Sequence, residues 1–143
     1  MEHFQIAIDG PSGSGKSTLA KNVAKRLGIL YLDTGAMYRA CALYVLEKGV
    51  STKDEAAVVD LLMEMKIDII HEGDNQEVIL NGRDVSDQIR KPGVSSAASD
   101  VSLFKTVRQT LVEMQRRIAG DKNVVLDGRD IGSYVLPNAD FKF

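Results

Sequence analysis

The sequence predicts an α/β fold in which helices flank a parallel β-sheet, and three observations support this class. The short apolar run Phe4–Asp9 ends at Gly10-Pro11, as buried parallel strands do. The segment Lys16–Leu27 follows it with apolar residues every four positions, which indicates a helix. A further apolar run, Asn123–Asp127, follows the helical segment Lys105–Ala119. Short strands alternating with helices are typical of parallel sheets.

The elements between these segments follow from the same signals. Ile29–Asp33 is a second short strand, and Ala36–Lys48 is a largely apolar helix. Thr52 and Glu55 have the spacing of a capping box, which predicts that a third helix begins there and extends to about Met65.

Residues 66–90 interrupt the alternation because they are rich in β-forming residues. Two such runs surround the turn-forming segment "EGDNQ", and Asn81-Gly82 signals a second turn. An antiparallel hairpin between helices indicates a small inserted lobe. We therefore predict a core of residues 1–65 and 91–143 and a β-rich insert at residues 66–90.

The last residues, "PNADFKF", look like the beginning of an apolar strand. Three strands of the main sheet and the start of a fourth are recognisable, fewer than doubly wound sheets usually contain. We therefore expect a fold that is incomplete at its C-terminus.

The composition indicates one soluble domain, with 143 residues of which 44% are hydrophobic and 27% charged. The net charge of −2 argues against a nucleic-acid partner. Cys41 is the single cysteine, so an intrachain disulfide is excluded, which fits a reducing cytoplasm. No signal peptide or membrane-length apolar run is recognisable. We expect a cytoplasmic protein without a membrane partner.

A phosphate-binding loop follows the first predicted strand. Its residues satisfy the motif G-x-x-x-x-G-K-[ST] between a strand and a helix, so the sheet is predicted to be of the P-loop NTPase type. Lys16 is expected to reach the β- and γ-phosphates, and the Ser17 hydroxyl to bind Mg²⁺. The alternative is a glycine-rich turn that only joins strand to helix. The predicted phosphate-binding residues are Gly10, Ser12, Gly13, Ser14, Gly15, Lys16, Ser17 and Thr18.

Three classes of P-loop protein make different demands on the rest of the sequence. A GTPase switch needs an Asp-x-x-Gly segment, and no aspartate here has glycine at that spacing. A nucleic-acid-dependent ATPase needs a row of basic residues along which the nucleic acid binds. The net negative charge of this chain does not favour such a row. A kinase for a small acceptor needs cations on the acceptor side as well as the donor side.

Two segments offer such cations, each directly after a predicted strand, where ligands bind in open α/β sheets. They are "DTGAMYR" (Asp33–Arg39) and "DGRDIG" (Asp127–Gly132). Their arginines could also form surface ion pairs, although the recurrence at the same end of the sheet favours phosphate binding. Asp127 is either an acid that helps to position Mg²⁺ or the cap of the next turn.

With these motifs the sequence resembles the bacterial cytidylate kinases, which are relatives of adenylate kinase. The resemblance extends over essentially the whole chain. That family also has a β-rich insert in its monophosphate-binding lobe, similar to Lys66–Arg90. The segments that carry the resemblance are "IDGPSGSGKST", "LDTGAMYR", "AAS" (Ala97–Ser99), "VR" (Val107–Arg108) and "LDGRDIGSYVLPNA".

The resemblance implies roles for individual residues. Arg39 and Arg129 would hold the acceptor phosphate and, with Lys16, would be the catalytic residues. The CMP-binding residues would be Thr34, Arg39, Ser99, Arg108, Arg129 and Asp130. A carboxylate and a guanidinium match the amino donor and ring acceptors of cytosine. The alternatives are that Ser99 is only a small residue that suits helix packing, and that Arg108 is a solvated helix charge, like Arg116 and Arg117.

The resemblance also implies the reaction. ATP with Mg²⁺ would donate its γ-phosphoryl group in line to CMP or dCMP, without a covalent protein intermediate. The arginine-bearing lid of the family lies beyond the matched segments. We therefore expect this chain alone to bind nucleotide with little activity, and its full-length parent to be an active monomer. The alternatives are an inactive nucleotide-binding fragment and a P-loop kinase for another small acceptor.

Overall fold

A computed structural model describes residues 3–11, 14–72, 75–128 and 131–143. Five α-helices lie within these ranges: α1 Lys16–Leu27, α2 Thr34–Glu47, α3 Glu55–Leu61, α4 Pro92–Val101 and α5 Lys105–Gly120. The strands are β1 Gln5–Asp9, β2 Leu30–Leu32, β3 Ile67–Glu72, β4 Asn75–Leu80, β5 Arg83–Asp84, β6 Val124–Gly128 and β7 Phe141–Lys142. Short 3-10 turns occupy Leu62–Glu64 and Gln88–Arg90, and a π-helical turn occupies Ile131–Val135.

The chain divides into two compact units, which we name by their sheets. The parallel-sheet unit comprises residues 1–34 and 115–143, and the hairpin unit comprises residues 35–114. The sequence predicts a different division, into a core and an insert at residues 66–90. That division is by function and not by compactness, and it stays a prediction. Among the described residues, no helix combines the length and apolar character needed to cross a membrane.

The parallel-sheet unit contains a four-stranded sheet in the order β2-β6-β1-β7, and each pair of neighbours is parallel. The apolar side chains of β2 and β6 are buried, as expected for strands covered on both faces. This confirms the predicted α/β class, and β7 is the fourth strand whose start the sequence indicated. In the register of β1 and β6, Asp9 lies opposite Gly128. The carboxyl ends of these two strands therefore meet at one edge of the sheet.

Helix α1 has the limits that the sequence predicted, and Gly28 in the left-handed conformation ends it. Its buried face consists of Ala20 and Ala24, which pack on sheet residues that include Ile6 and Val125. The leucines that indicated the helix are instead exposed, Leu19 by 50% and Leu27 by 55%. Small side chains thus form the buried contact with the sheet, and half-buried Val23 packs beside them.

The hairpin unit contains the three-stranded antiparallel sheet β3-β4-β5. The turn between β4 and β5 is formed by Asn81 and Gly82, both with positive φ, which confirms the second turn signal. Asn81 also closes the sheet end: its backbone N–H donates to Lys66 O at 2.8 Å, and its Oδ1 accepts from Lys66 N at 2.7 Å.

Two predicted helix starts differ from the structure. Helix α2 begins at Thr34, two residues before the predicted start at Ala36. The capping box at Thr52 is wrong, because α3 is capped by Asp54, whose carboxylate accepts from Ala57 N at 3.2 Å. The Thr52 hydroxyl donates to Asp100 at 2.7 Å instead. A carboxylate next to the helix start complements the positive end of the helix, which explains why Asp54 is the cap.

Candidate active site

The phosphate-binding loop joins β1 to α1, and the structure describes it at residues 10–11 and from residue 14 onward. Ser12 and Gly13, predicted phosphate ligands, lie outside the described residues. Gly10 N donates to Gly128 O at 3.0 Å, which fixes the start of the loop against β6. Gly15 has φ of 84°, a conformation that a side chain disfavours, so glycine is needed where the loop enters the helix.

The first turn of α1 is arranged to receive an anion. Its cap residue, Gly15, provides no side-chain oxygen, and the turn contains no acidic residue. The backbone N–H groups at a helix start and the positive end of the helix dipole favour phosphate. Lys16 and Ser17 are half-buried in this turn, and Thr18 is exposed.

The buried carboxylate of Asp127, only 5% exposed, is the centre of the site. The Ser17 hydroxyl donates to its Oδ2 at 2.6 Å, and Lys16 Nζ lies 3.7 Å from the same oxygen. The Thr34 hydroxyl donates to the backbone oxygen of Asp127 at 3.3 Å. The structure thus brings together four residues that the sequence analysis selected from three separate segments.

Tyr31 joins this group, although the sequence analysis did not select it. Its side chain is 7% exposed. Burial is the main reason why the pKa of Tyr31 lies far above its ordinary value, followed by the influence of the Asp127 side chain and the charge of Asp33. The hydroxyl therefore keeps its proton at neutral pH. A tyrosine within the apolar strand "ILYLD" was the only signal for it.

Asp9, at the end of β1, binds the start of the π-helical turn. Its Oδ1 accepts from Ile131 N at 2.6 Å, and its Oδ2 accepts from Gly132 N at 3.0 Å. A Cβ atom at Gly132 would lie 3.3 Å from Asp9 Oδ2 and 3.3 Å from the Lys142 side chain, so glycine permits this close approach. The carboxylate thus links the strand that precedes the phosphate loop to the segment that contains "DGRDIG".

Arg116 binds the other end of the same turn. Its Nε donates to Val135 O at 2.9 Å, its Nη2 donates to Tyr134 O at 2.6 Å, and its guanidinium lies 5.4 Å from the Tyr134 ring centroid. Arg116 is exposed, as expected of a solvated helix charge, but its guanidinium also binds these two carbonyls. The turn is held by an anion at its first residues and a cation at its last carbonyls, the polarity that a helical dipole favours.

Comparisons with known proteins identify the family. A family model described as cytidylate kinase matches residues 6–143. The chain belongs to the cytidylate kinase family. A cytidylate kinase of Caldanaerobacter subterraneus subsp. tengcongensis is 53% identical over 139 residues, which are 97% of this chain and 60% of that relative. One of Symbiobacterium thermophilum is 54% identical over 140 residues, 96% of this chain and 62% of that relative.

A third cytidylate kinase, from Halalkalibacterium halodurans, is 50% identical over 143 residues, which are 100% of this chain and 64% of that relative. The resemblance seen in the sequence motifs is thereby confirmed at the level of the family. The chain spans about 60% of the length of the curated cytidylate kinases that it matches.

The donor set beside the phosphate loop fits Mg²⁺. Ser17 Oγ and Asp127 Oδ2 are hard oxygen ligands of the kind that this ion uses. No cluster of three or more His, Cys, Asp or Glu side chains capable of holding a metal occurs in the described parts of the chain. Two protein oxygens next to a phosphate loop suit an ion that nucleotide phosphates help to hold.

The predicted acceptor residues in the hairpin unit are Arg39, Ser99 and Arg108. Arg39 is half-buried in α2. Ser99, in the last turn of α4, is exposed and donates to Ser95 O at 3.3 Å. Arg108, in the first turn of α5, donates from Nη1 to Ser102 O and Leu103 O, both at 2.9 Å. Ser99 and Arg108 thus flank the corner between α4 and α5.

The predicted CMP pocket stays a prediction as a whole. Arg129 and Asp130 lie outside the described residues, and Thr34 belongs to the parallel-sheet unit. Thr34 contacts the backbone of Asp127, the first residue of "DGRDIG". Its hydroxyl therefore lies at the same strand end as the donor-side residues of its own unit.

Replacing Asp9 with alanine is expected to lower the free energy of unfolding by about 1–3 kcal/mol, because two backbone N–H groups lose a charged acceptor. The amides of Ile131 and Gly132 should also lose protection against hydrogen exchange. Urea unfolding and NMR-detected exchange test this, with the exposed Asp121→Ala as the control. Equal stability of the two variants, with unchanged exchange at both amides, would show that the Asp9 bonds do not hold the turn.

Proposed function

We propose that the protein containing this chain is a nucleoside monophosphate kinase that transfers the γ-phosphoryl group of ATP to CMP and dCMP. The observation that carries the proposal is the convergence of Lys16 and Ser17 on Asp127. Asp127 opens the "DGRDIG" segment, so donor-side groups meet at the start of a proposed acceptor motif. The names of the curated relatives support cytidine monophosphate as the acceptor.

On the donor side, the phosphate loop and α1 would hold the phosphates of ATP. The backbone N–H groups of the first helical turn bind phosphate oxygens, and Lys16 neutralises charge on the transferred group. Ser17 and Asp127 would hold Mg²⁺, which supplies further neutralisation of the phosphates when bound. Lys16 Nζ lies 3.7 Å from the same carboxylate, so the proposed cation and the proposed metal ligand are neighbours.

On the acceptor side, Arg39 and Arg129 would bind the phosphate of CMP and offset its repulsion from ATP. Thr34, Ser99, Arg108 and Asp130 would read the cytosine base. A carboxylate accepts from the exocyclic amino group, and a guanidinium donates to the ring acceptors. Since the acceptor phosphate is itself the nucleophile, no protein side chain needs to form a covalent intermediate.

We further propose that residues 1–143 alone bind nucleotide but turn it over slowly. The support is that the curated relatives are longer by a segment that this chain does not match. Phosphoryl transfer depends on cations and on exclusion of water around the transferred group, and a missing part of the site weakens both. A cytoplasmic location and a monomeric state stay predictions, as does the absence of nucleic-acid and membrane partners.

The cytosine assignment is tested by Asp130→Ala in calorimetric titrations with CMP and with ATP. Loss of a charged hydrogen bond to the base should weaken CMP binding by about tenfold to 100-fold, whereas ATP binding should stay unchanged. Asp121→Ala is the matched control, because it removes a surface carboxylate elsewhere. Equal weakening of CMP and ATP, or a wild-type preference for UMP or AMP, would contradict the assignment. A preference for a different acceptor would instead favour a P-loop kinase of another specificity.

A further inference from the structure

The end of β1 binds the chain after β6 at two places. The Gly10 backbone N–H donates to Gly128 O at 3.0 Å. The Asp9 carboxylate accepts from Ile131 N at 2.6 Å and from Gly132 N at 3.0 Å. Two neighbouring residues of β1 and the phosphate loop therefore hold the last residue of β6 and the first residues of the π-helical turn.

The Asp9 carboxylate is well placed for this task because its own backbone is held on both sides. Asp9 lies opposite Gly128 in the parallel register of β1 and β6. On the other side, Asp9 N donates to Phe143 O at 3.0 Å. A short side chain on a backbone fixed in this way gives its two oxygens a defined position.

The far end of the same turn is held by Arg116 of α5. Its guanidinium donates to Tyr134 O at 2.6 Å and to Val135 O at 2.9 Å. The turn Ile131–Val135 therefore has a carboxylate at its first amides and a guanidinium at its last carbonyls. Together these contacts fix where the turn begins and where it ends.

The place of Asp9 in the sequence and its contacts in the structure point to different sides of the site. In the sequence, Asp9 directly precedes the phosphate loop, which would associate it with ATP. In the structure, its carboxylate binds the residues that directly follow Arg129 and Asp130, which are proposed to bind CMP. Anchoring a binding segment before its ligand arrives raises affinity, because less ordering remains to be done on binding.

We propose that Asp9 and Arg116 are positioning residues for the acceptor side, which hold the turn Ile131–Val135 in place for CMP binding. The inference rests on the proposed function, because that function assigns the preceding residues Arg129 and Asp130 to CMP. In this role Asp9 and Arg116 act through the backbone of the turn and contact no reacting atom.

The test compares CMP and ATP affinities, measured by calorimetry on the natural-length protein. Asp9→Ala should weaken CMP binding by about tenfold, the scale of one charge-assisted hydrogen bond, and leave ATP binding unchanged. Asp140→Ala is the matched control, because its carboxylate also accepts from a β1 amide, that of Gln5 at 2.9 Å, at the opposite end of the strand. CMP and ATP affinities should both be unchanged in this control.

Two further variants keep the test decisive if Asp9→Ala loses stability. Asp9→Asn keeps the shape of the side chain and one acceptor oxygen, so it should show the same selective loss to a smaller extent. Arg116→Ala should also weaken CMP and not ATP, because it releases the far end of the turn. Arg117→Ala is its control, since Arg117 is the next residue of α5 and is also exposed.

The outcomes separate this inference from the proposed function. An unchanged CMP affinity in either Asp9→Ala or Arg116→Ala overturns the inference. Equal weakening of CMP and ATP in Asp9→Ala also overturns it and indicates that Asp9 supports the phosphate loop. A wild-type protein that binds ATP but not CMP would overturn the proposed function, and with it the inference.

Discussion

Lys16→Ala is expected to lower kcat for CMP phosphorylation by about two to three orders of magnitude, the effect of removing one fixed charge-stabilising donor. The ammonium is half-buried in the first turn of α1 and lies 3.7 Å from Asp127 Oδ2. In the proposed function, a cation in this position would act on the charge that develops on the transferred group. The variant also leaves Asp127 without that neighbouring cation. CMP affinity should be nearly unchanged, because the role proposed for Lys16 is on the donor side.

Lys25→Ala is the control for this variant, since Lys25 is an exposed lysine in the last turn of the same helix. Steady-state rates and calorimetric CMP affinities are measured for both. A Lys16→Ala enzyme with the kcat of Lys25→Ala would refute the donor-side role. Parallel losses of CMP affinity and turnover would indicate that Lys16 supports the fold of the whole site instead.

Local signals allowed several elements to be predicted from the sequence. The limits of α1 are those predicted, because a complete phosphate-loop motif precedes the helix and Gly28 can adopt the left-handed conformation that ends it. The Asn81-Gly82 turn was predictable for the same reason, since its positive φ angles need those residue types. Lys16, Ser17 and Asp127 were selected because each occurs in a motif with a known chemical requirement.

The contacts that hold the site together could not be predicted, because they join residues far apart in the chain. Asp9 binds Gly132 across 123 positions, and Arg116 binds Val135 across 19. The Asp9 contact depends on strand order and on the register of β1 with β6, which no local pattern specifies. The sequence shows that a charged side chain needs a partner. It does not show which backbone groups the fold will bring next to that side chain. The same holds for Tyr31, which appears from sequence as one more strand residue.

The presence of helix α1 was predictable, but the face that it buries was less so. In α1 the residues with the largest apolar side chains, Leu19 and Leu27, are exposed, and the buried contacts are made by Ala20 and Ala24. The spacing of the apolar residues predicted a helix. It did not show which row of side chains faces the sheet, that of Leu19 and Leu27 or that of Ala20 and Ala24. Alanine allows closer approach to the sheet than leucine does, so the distance between α1 and the sheet decides which stripe is buried.

The second large effect is expected in the choice of acceptor. Cytosine presents an amino donor where uracil presents a carbonyl oxygen, and the proposed reader of that position is the carboxylate of Asp130. With uracil, two acceptors would face each other without a proton between them. A site that hydrogen-bonds one group discriminates strongly against an analogue that cannot pair, so kcat/KM should favour CMP over UMP by at least about 100-fold. The adenine ring of AMP is larger and should be rejected as well.

Turnover with a panel of monophosphates tests the proposed phosphoryl transfer to CMP most directly. ADP release is measured on the natural-length protein with CMP, dCMP, UMP, AMP and no acceptor, and residues 1–143 alone are assayed in parallel. We predict turnover of about 1–100 s⁻¹ with CMP and dCMP, the usual range for kinases. UMP, AMP and the acceptor-free reaction should be slower by at least about 100-fold, and the 143-residue chain should be nearly inactive. ADP release that is equally fast without an acceptor, or with UMP or AMP, would contradict the proposed function.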